Sequence, residues 1–167
     1  MDRDELRGAQ QPLKQRYRDE PAAALVTLRA SGTLDDGVTC TVQTARALAT
    51  AGLHPASGGD GVALCSGDML LEALVACAGV TLRAVSTSLE IPVRSGSITA
   101  EGVLDFRGTL GVARDAPVGF SEIALRFELD APEASDFQIE TLLKLTQRYC
   151  VVLQTLQGGA RLTVTAG

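Results

Sequence analysis

The sequence has few aromatic residues and no long hydrophobic run, and each shortage excludes a class of protein. Aromatic side chains make up 4% of the 167 residues, and tryptophan is absent, so small aliphatic side chains must pack the core. The longest uncharged stretch in the apolar middle of the chain covers residues 73–82, far short of the ~20 residues that a membrane helix needs. The hydrophobic content of 46% still predicts a folded core and excludes intrinsic disorder.

Positive charge is also scarce. The chain has 15 Lys and Arg against 20 Asp and Glu, a net charge of −5, which is the wrong sign for a surface that binds nucleic acid. Residues 1–20 carry five basic and five acidic side chains where a signal peptide would need an apolar segment. We therefore expect a cytoplasmic protein with no nucleic-acid or membrane partner. In that reducing compartment the four cysteines are expected to be free thiols, redox groups or ligands rather than structural disulfides.

The length predicts one domain. Residues 1–21 are rich in charge and are expected to form an N-terminal helix or arm, and residues 22–167 are expected to form the domain. Segments that alternate or are rich in Val, Thr and Leu predict strands, and Asp35-Asp36-Gly37 supplies a hairpin turn between the first two. The predicted strands are Ala22–Leu34, Val38–Thr44, Ser97–Arg107, Phe120–Asp130 and a final one with Leu162, Val164 and Ala166 facing one side.

Two long helices are predicted between these strands. The first has Ser66 as its N-cap and runs to Leu89, because Pro92 prevents its continuation. The second begins after Ser135, which forms a capping-box pattern with Gln138, and its apolar periodicity continues to Gly158-Gly159. This order of elements contains local hairpins rather than repeated βαβ units. It predicts an α+β fold with a mainly antiparallel sheet.

Each predicted long helix contains one cysteine well inside it. On the first helix, Cys77 falls on the same face as Leu74 and Thr81 and is expected to face a packed surface. If the helices pack side by side, Cys77 and Cys150 can approach to the Cα separation of about 4.4–6.8 Å that a disulfide requires. The pair is then a candidate reversible dithiol. The alternative from spacing alone is that both are small buried hydrophobic residues.

Other chemistries have less support in the sequence. The four cysteines lack the paired short spacing of a zinc site, and the single histidine cannot complete a Cys/His cluster. A hydrolytic triad would need that histidine, His54, whose Leu-His-Pro context indicates a turn residue. Cys65 precedes a helix N-terminus, where a thiol pKa is lowered, and is the second candidate for a reactive cysteine. Cys40 falls in a predicted strand and is expected only to pack.

The contexts of the two helical cysteines carry a family resemblance. Ser66–Leu82 around Cys77 and Leu145–Leu153 around Cys150 resemble the OsmC/Ohr family, and the likeness covers the chain from about Ala22 onward. The resemblance implies an OsmC-like α+β fold, with mainly antiparallel curved sheets around two long central helices in an intertwined homodimer. It also implies a thiol peroxidase that reduces organic hydroperoxides or hydrogen peroxide. Cys77 would be the peroxidatic cysteine and Cys150 the resolving cysteine, an external dithiol would reset the pair, and neither a metal nor another cofactor would be needed.

The sequence departs from this family at the groups that would activate Cys77. Burial raises a thiol pKa, and the N-terminus of its own helix is about three turns away, beyond the range of the helix dipole, so we expect a cation from elsewhere. The best-known members use an Arg in the first hairpin loop and a Glu ten residues before the cysteine, where this chain has Asp35-Asp36-Gly37 and Gly67. Asp68 is the candidate carboxylate, and the candidate cations are Arg29, Arg46 and Arg148. The alternative is a non-catalytic small-molecule binding protein on the same dimeric scaffold.

Overall fold

The computed structural model describes residues 2–5, 7, 8, 11, 19, 31–34, 39–43, 48–111 and 113–166. The chain groups into two compact units. One comprises Met1–Asp19, Ala73–Thr99 and Arg126–Gly167, and the other comprises Glu20–Glu72 and Ala100–Leu125. In the N-terminal arm, residues 3–5, 7, 8, 11 and 19 are helical. The prediction of one domain over residues 22–167 stays a prediction.

A four-stranded sheet has the order β1-β2-β3-β4. The first two strands pair antiparallel, with Ser31 opposite Gln43, which confirms the predicted hairpin. Its turn at Asp35-Asp36-Gly37 and the predicted strand residues before Ser31 lie outside the described residues. The sequence did not predict β3 or β4, because the Leu-Ala-Thr-Ala-Gly segment has no apolar alternation, and β3–β4 is a parallel pair in an otherwise antiparallel sheet. The strands are β1 (Ser31–Leu34), β2 (Thr39–Gln43), β3 (Leu48–Gly52) and β4 (Leu64–Cys65).

The first long helix, α1, spans Ser66–Leu89 without interruption. It ends where Glu90 takes a left-handed conformation (φ 55°) just before Pro92, as the proline predicted. Its buried side chains recur every four residues, which places them on one stripe of the helix. That stripe consists of Leu74, Ala78, Leu82 and Ser86. By length and hydropathy α1 also resembles a membrane-spanning helix, a test that the core helices of soluble proteins pass as well.

Strands β5 (Ser95–Leu104) and β6 (Phe120–Asp130) pair as a two-stranded sheet. In β6 the predicted alternation is confirmed, since Ile123, Leu125, Phe127 and Leu129 are half-buried while Arg126 and Glu128 are exposed. Strand β5 stops before the predicted Arg107. The reason is that the Asp105 carboxylate accepts the Arg107 N–H and caps a single helical turn, Phe106–Thr109.

The predicted last strand is wrong for this chain. Residues 159–166 pair with neither of the two described sheets, and Leu162 and Val164 are 87% and 95% exposed. A strand needs a neighbouring backbone to satisfy its N–H and C=O groups. The alternating pattern is therefore present without a strand partner among the described residues.

The second long helix is broken, which corrects the prediction of one continuous helix. Helix α2 spans Asp136–Tyr149 and begins with the predicted capping box between Ser135 and Gln138. Helix α3 spans Val151–Gly158, and Gly159 caps it. Between them Cys150 is extended (φ −71°, ψ 106°), and it serves as the C-cap of α2 and the N-cap of α3. Its N–H still donates to the Thr146 carbonyl, and its own carbonyl accepts the Gln154 N–H, both at 2.9 Å.

The core of the first unit joins α1 to α2. Leu82 of α1 and Leu142 of α2 pack with Ile91, and all three are at most 5% exposed. Half-buried side chains from α1, α2, β6 and the neighbouring loops surround this cluster, so α2 is held against α1 by apolar contact. The surrounding residues are Val85, Val93, Phe127, Leu129, Ala134 and Leu143.

Candidate thiol site

The packing of α1 against α2 brings the two predicted cysteines together. The thiol of Cys150 hydrogen-bonds to the sulfur of Cys77. Cys150 is fully buried, whereas Cys77 is half-buried on the flank of the α1 stripe, and both are free thiols. One sulfur of the pair is therefore accessible to a small molecule, and the other is enclosed beside it.

The break at Cys150 supplies hydrogen-bond donors to Cys77. The first backbone N–H groups of a helix have no partner within the helix and favour an anion. At the start of α3, the N–H groups of Val152 and Val151 donate to the Cys77 sulfur, and the hydroxyl of Thr81, one turn along α1, donates as well. Burial raises the pKa of the Cys77 thiol, but the hydrogen bonds from Val152, Cys150, Val151 and Thr81 outweigh it, so its pKa is lowered.

Cys150 responds in the opposite direction. Burial raises the pKa of its thiol, and the neighbouring Cys77, which is the first of the pair to ionise, raises it further. The N–H groups of Leu153 and Val152 lower it only in part. The pair is thus arranged with an ionisable thiol at Cys77 and a protonated thiol at Cys150, which is the asymmetry that stepwise thiol oxidation uses.

The expected cation is not among the groups that act most strongly on Cys77, which are all neutral dipoles. Arg148 is exposed, and its guanidinium lies 5.6 Å above the ring of Tyr149. Asp68 is exposed in the first turn of α1. Arg29 and Arg46 lie outside the described residues. The reasoning from sequence placed Thr81 on the face of Cys77 but gave it no role. It missed the backbone of Val151 and Val152, because the apolar period runs through Cys150 and gives no sign of a break.

A cavity of about 610 Å³ lies between α1 and α2 in the same unit. It begins at Thr81, which contacts Cys77, and extends along α1 to Leu89. Its lining is mainly apolar, so it suits a small apolar molecule better than a charged one. The lining residues are Val80, Thr81, Ala84, Val85, Ser88, Leu89, Leu145 and Tyr149.

The other two cysteines, Cys40 and Cys65, belong to the second unit. Cys65 ends β4 and is half-buried in a cavity of about 380 Å³ in the second unit, which His54 and Asp68 also line. His54 is a turn residue, as expected, because its Nδ1 accepts the Ala56 N–H at 3.0 Å and its ring stacks on Phe106. Cys40 lies in β2, and the packing of its side chain is outside the described part of the structure.

Comparisons with known proteins agree with this fold. The family model described as OsmC-like protein matches residues 58–165. The structure of an OsmC-like protein from Mycoplasma pneumoniae has a TM-score of 0.67 at 19% identity, covering 80% of this chain and 89% of that one. An organic hydroperoxide resistance protein OsmC from Legionella pneumophila gives 0.60 at 17% identity, covering 81% and 92%. The organic hydroperoxide resistance protein OhrB of Bacillus subtilis gives 0.55 at 15%, covering 81% and 94%. No curated protein sequence matches significantly.

Proposed function

Since the chain belongs to the OsmC-like protein family, we propose that it is a thiol-dependent peroxidase that reduces organic hydroperoxides, or hydrogen peroxide, with Cys77 as the peroxidatic cysteine and Cys150 as the resolving cysteine. The observation that carries the proposal is the contact between the two thiols together with their opposite pKa shifts, Cys77 down and Cys150 up. Two structurally similar proteins are named organic hydroperoxide resistance proteins, which supports the choice of substrate.

The proposed reaction begins at the half-buried sulfur. The Cys77 thiolate attacks a peroxide oxygen, so an S–O bond forms, the O–O bond breaks and the alcohol leaves after taking a proton. Cys77 is oxidised to a sulfenic acid, and the hydroperoxide is reduced. The N–H groups of Val151 and Val152 and the Thr81 hydroxyl keep the attacking sulfur ionised.

The second step uses the contact between the sulfurs. Cys150 loses its proton and attacks the Cys77 sulfur, so the S–S bond forms, the S–O bond breaks and water leaves. An external dithiol then reduces the disulfide and is itself oxidised. Because the cycle begins and ends with free thiols, it suits a soluble protein in a reducing compartment, and we place it in the cytoplasm.

Intact-mass measurement tests the proposal directly. Reduced protein treated with cumene hydroperoxide is expected to lose the mass of two hydrogens and two of its four thiols, with a Cys77–Cys150 peptide found after digestion. Cys65→Ser is the matched control and should behave like the parent. A product in which Cys77 stays reduced while other thiols react would contradict the peroxidase.

We also propose that the working unit is a homodimer. Large apolar side chains are exposed on the single chain, among them Val80 at 74%, Leu162 at 87% and Val164 at 95%, and a monomer rarely leaves so many uncovered. A second copy would cover them and would offer an edge for the unpaired segment 159–166. Sedimentation velocity is expected to give twice the chain mass of 17.4 kDa, and Val164→Lys should shift it toward the monomer.

The cavity beside Thr81 favours a second candidate, a non-catalytic protein that binds small apolar molecules. It occupies about 610 Å³ with a mainly apolar lining, which is within the range of small-molecule sites. Peroxide consumption distinguishes the two candidate functions. The binder would take up an apolar fluorescent probe equally well after Cys77→Ser and would leave peroxide unconsumed, whereas the peroxidase consumes it.

A further inference from the structure

One buried polar group near the thiol pair has no role in the steps described so far. Thr146 of α2 is 1% exposed, and its hydroxyl has no hydrogen-bond partner among the described residues. Buried hydroxyls are normally paired, because leaving one unpaired costs the free energy of its desolvation. An unpaired one in a native core therefore calls for a partner beyond the described residues.

The position of Thr146 points to that partner. Thr146 and Cys150 are four residues apart, and the Cys150 N–H donates to the Thr146 carbonyl, so the two side chains lie on one face with Cβ atoms about 5–6 Å apart. Contacts between α1 and α2 occur on either side of Thr146, at Leu142 with Leu82 and at Cys150 with Cys77. The buried residue of α1 between those contacts is Ala78, whose methyl group offers no hydrogen bond.

From this placement we infer that the Thr146 hydroxyl is a hydrogen-bond donor to the oxygen that Cys77 acquires on oxidation. The inference rests on the proposed peroxidase function. Oxidation adds one oxygen to the Cys77 sulfur, which lies against Cys150, one helical turn from Thr146. We place that oxygen within reach of the hydroxyl, because the Cys77 sulfur lies against Cys150. Thr146 then acts in the second step alone.

The step at which Thr146 acts is the departure of that oxygen. When the Cys150 thiolate attacks the Cys77 sulfur, the S–S bond forms and the S–O bonding pair goes to the oxygen. The oxygen takes up the proton that Cys150 gave up and leaves as water. A hydroxyl that donates to this oxygen stabilises the negative charge that develops on it. Removing the hydroxyl should slow disulfide formation by about 10- to 100-fold and leave the first oxidation unchanged.

The test compares Thr146→Val, which removes the hydroxyl at nearly constant shape, with Thr146→Ser, which keeps it. Thr141→Val on the same helix is the matched control. Each reduced protein is mixed with one equivalent of cumene hydroperoxide and quenched over time with dimedone and an alkylating agent. Mass spectrometry then counts the Cys77 sulfenic acid and the Cys77–Cys150 disulfide.

For Thr146→Val we expect oxidation of Cys77 at the parent rate, accumulation of the dimedone adduct, and a melting temperature no lower than the parent's, since an unpaired buried hydroxyl is replaced by a methyl group. Thr146→Ser and Thr141→Val should form the disulfide like the parent. Disulfide formation at the parent rate in Thr146→Val, or a lower melting temperature with both steps slowed equally, would overturn the inference. A parent protein that never oxidises Cys77 would overturn the proposed function and this inference with it.

Discussion

Helix α1 and the α2–α3 segment each carry one cysteine of the pair, but only α1 is a continuous helix. Around Cys77 the helix is unbroken, so every nearby N–H is already used within the helix. At Cys150 the helix stops and restarts, and the N–H groups of Val151 and Val152 become free. The backbone of the intact helix cannot activate its own thiol, whereas the N–H groups of the broken helix activate the thiol of its neighbour.

This difference also explains why two touching thiols have opposite pKa shifts. The Cys77 sulfur accepts two N–H groups of α3 together with the Thr81 hydroxyl, and their sum exceeds the effect of burial. Cys150 is more deeply enclosed and faces the sulfur that ionises first. Among the described residues, a helix terminus therefore supplies the stabilisation of Cys77, and the predicted cation from Arg29 or Arg46 stays a prediction.

The largest effect on hydroperoxide turnover is expected from removing either sulfur of the pair. Cys77→Ser is expected to abolish hydroperoxide turnover, because the thiolate that attacks the peroxide is removed. Cys150→Ser should consume about one equivalent of peroxide and stop with Cys77 as a sulfenic acid. Peroxide consumption with dithiothreitol as the reductant measures both. Equal turnover in the two variants and the parent would show that the roles are wrongly assigned.

The apolar contact that holds α2 against α1 can be tested by measuring the free energy of unfolding. Leu142 is fully buried and packs with Leu82, so Leu142→Ala should lower the free energy of unfolding by about 2–5 kcal/mol. Leu156→Ala in α3 is the control, because Leu156 is 38% exposed, and it should cost far less. Urea denaturation measures both. Equal losses would mean that α2 is not anchored by this cluster.

Removing the Val151 N–H should show how much the helix break, as distinct from burial, contributes to the pKa of Cys77. Val151 occupies the first position of α3, where proline fits because its N–H is not needed by the helix. Cys150 before it is already extended, as a residue preceding proline must be. Val151→Pro should slow alkylation of Cys77 at pH 7 by about 3- to 10-fold, since one hydrogen bond to the thiolate is lost.

Val151→Ala keeps the N–H and is the matched control for that substitution. Iodoacetamide labelling followed by peptide mass spectrometry gives the rate at Cys77 alone. If alanine and proline at this position slow the reaction equally, the side chain of Val151 matters and its N–H does not.

The smallest expected effect is on stability against pH. The lowered pKa of Cys77 means that, below the ordinary thiol value of 9.0, the folded state binds fewer protons than the unfolded state. The free energy of unfolding should therefore rise with pH up to about that value. Above it, the raised pKa of Cys150 makes the folded state bind more protons, so stability should fall. Urea midpoints across this range should lose the rise in Cys77→Ala and the fall in Cys150→Ala.

Much of the fold follows from local pattern. Alternation predicted β6 to the residue, the Ser135 and Gln138 capping box predicted the start of α2, and Pro92 predicted the end of α1. Strand β3 was missed because Leu-Ala-Thr-Ala-Gly does not alternate, and its pairing comes from neighbours distant in sequence. The break at Cys150 was missed for a similar reason, since apolar positions continue through it at helical spacing.

The candidate site, too, was predicted only in part from the sequence. The sequence pointed to Cys77 and Cys150, since two helix-borne thiols in those contexts resemble one family. It gave no role to Thr81, and it did not point to Thr146 or the amides of Val151 and Val152. Those groups carry no chemical signal of their own, and they matter only because of what lies beside them.

By itself the sequence determined which residues form helices and strands and which two sulfurs face the packed side, because side-chain size, polarity and turn chemistry act within a few residues of their position. Only the tertiary structure decided that one helix stops at the second sulfur and that its unpaired N–H groups point at the first. The free energy of a helix end depends on what it can bind across space, and a local pattern carries no record of that neighbour.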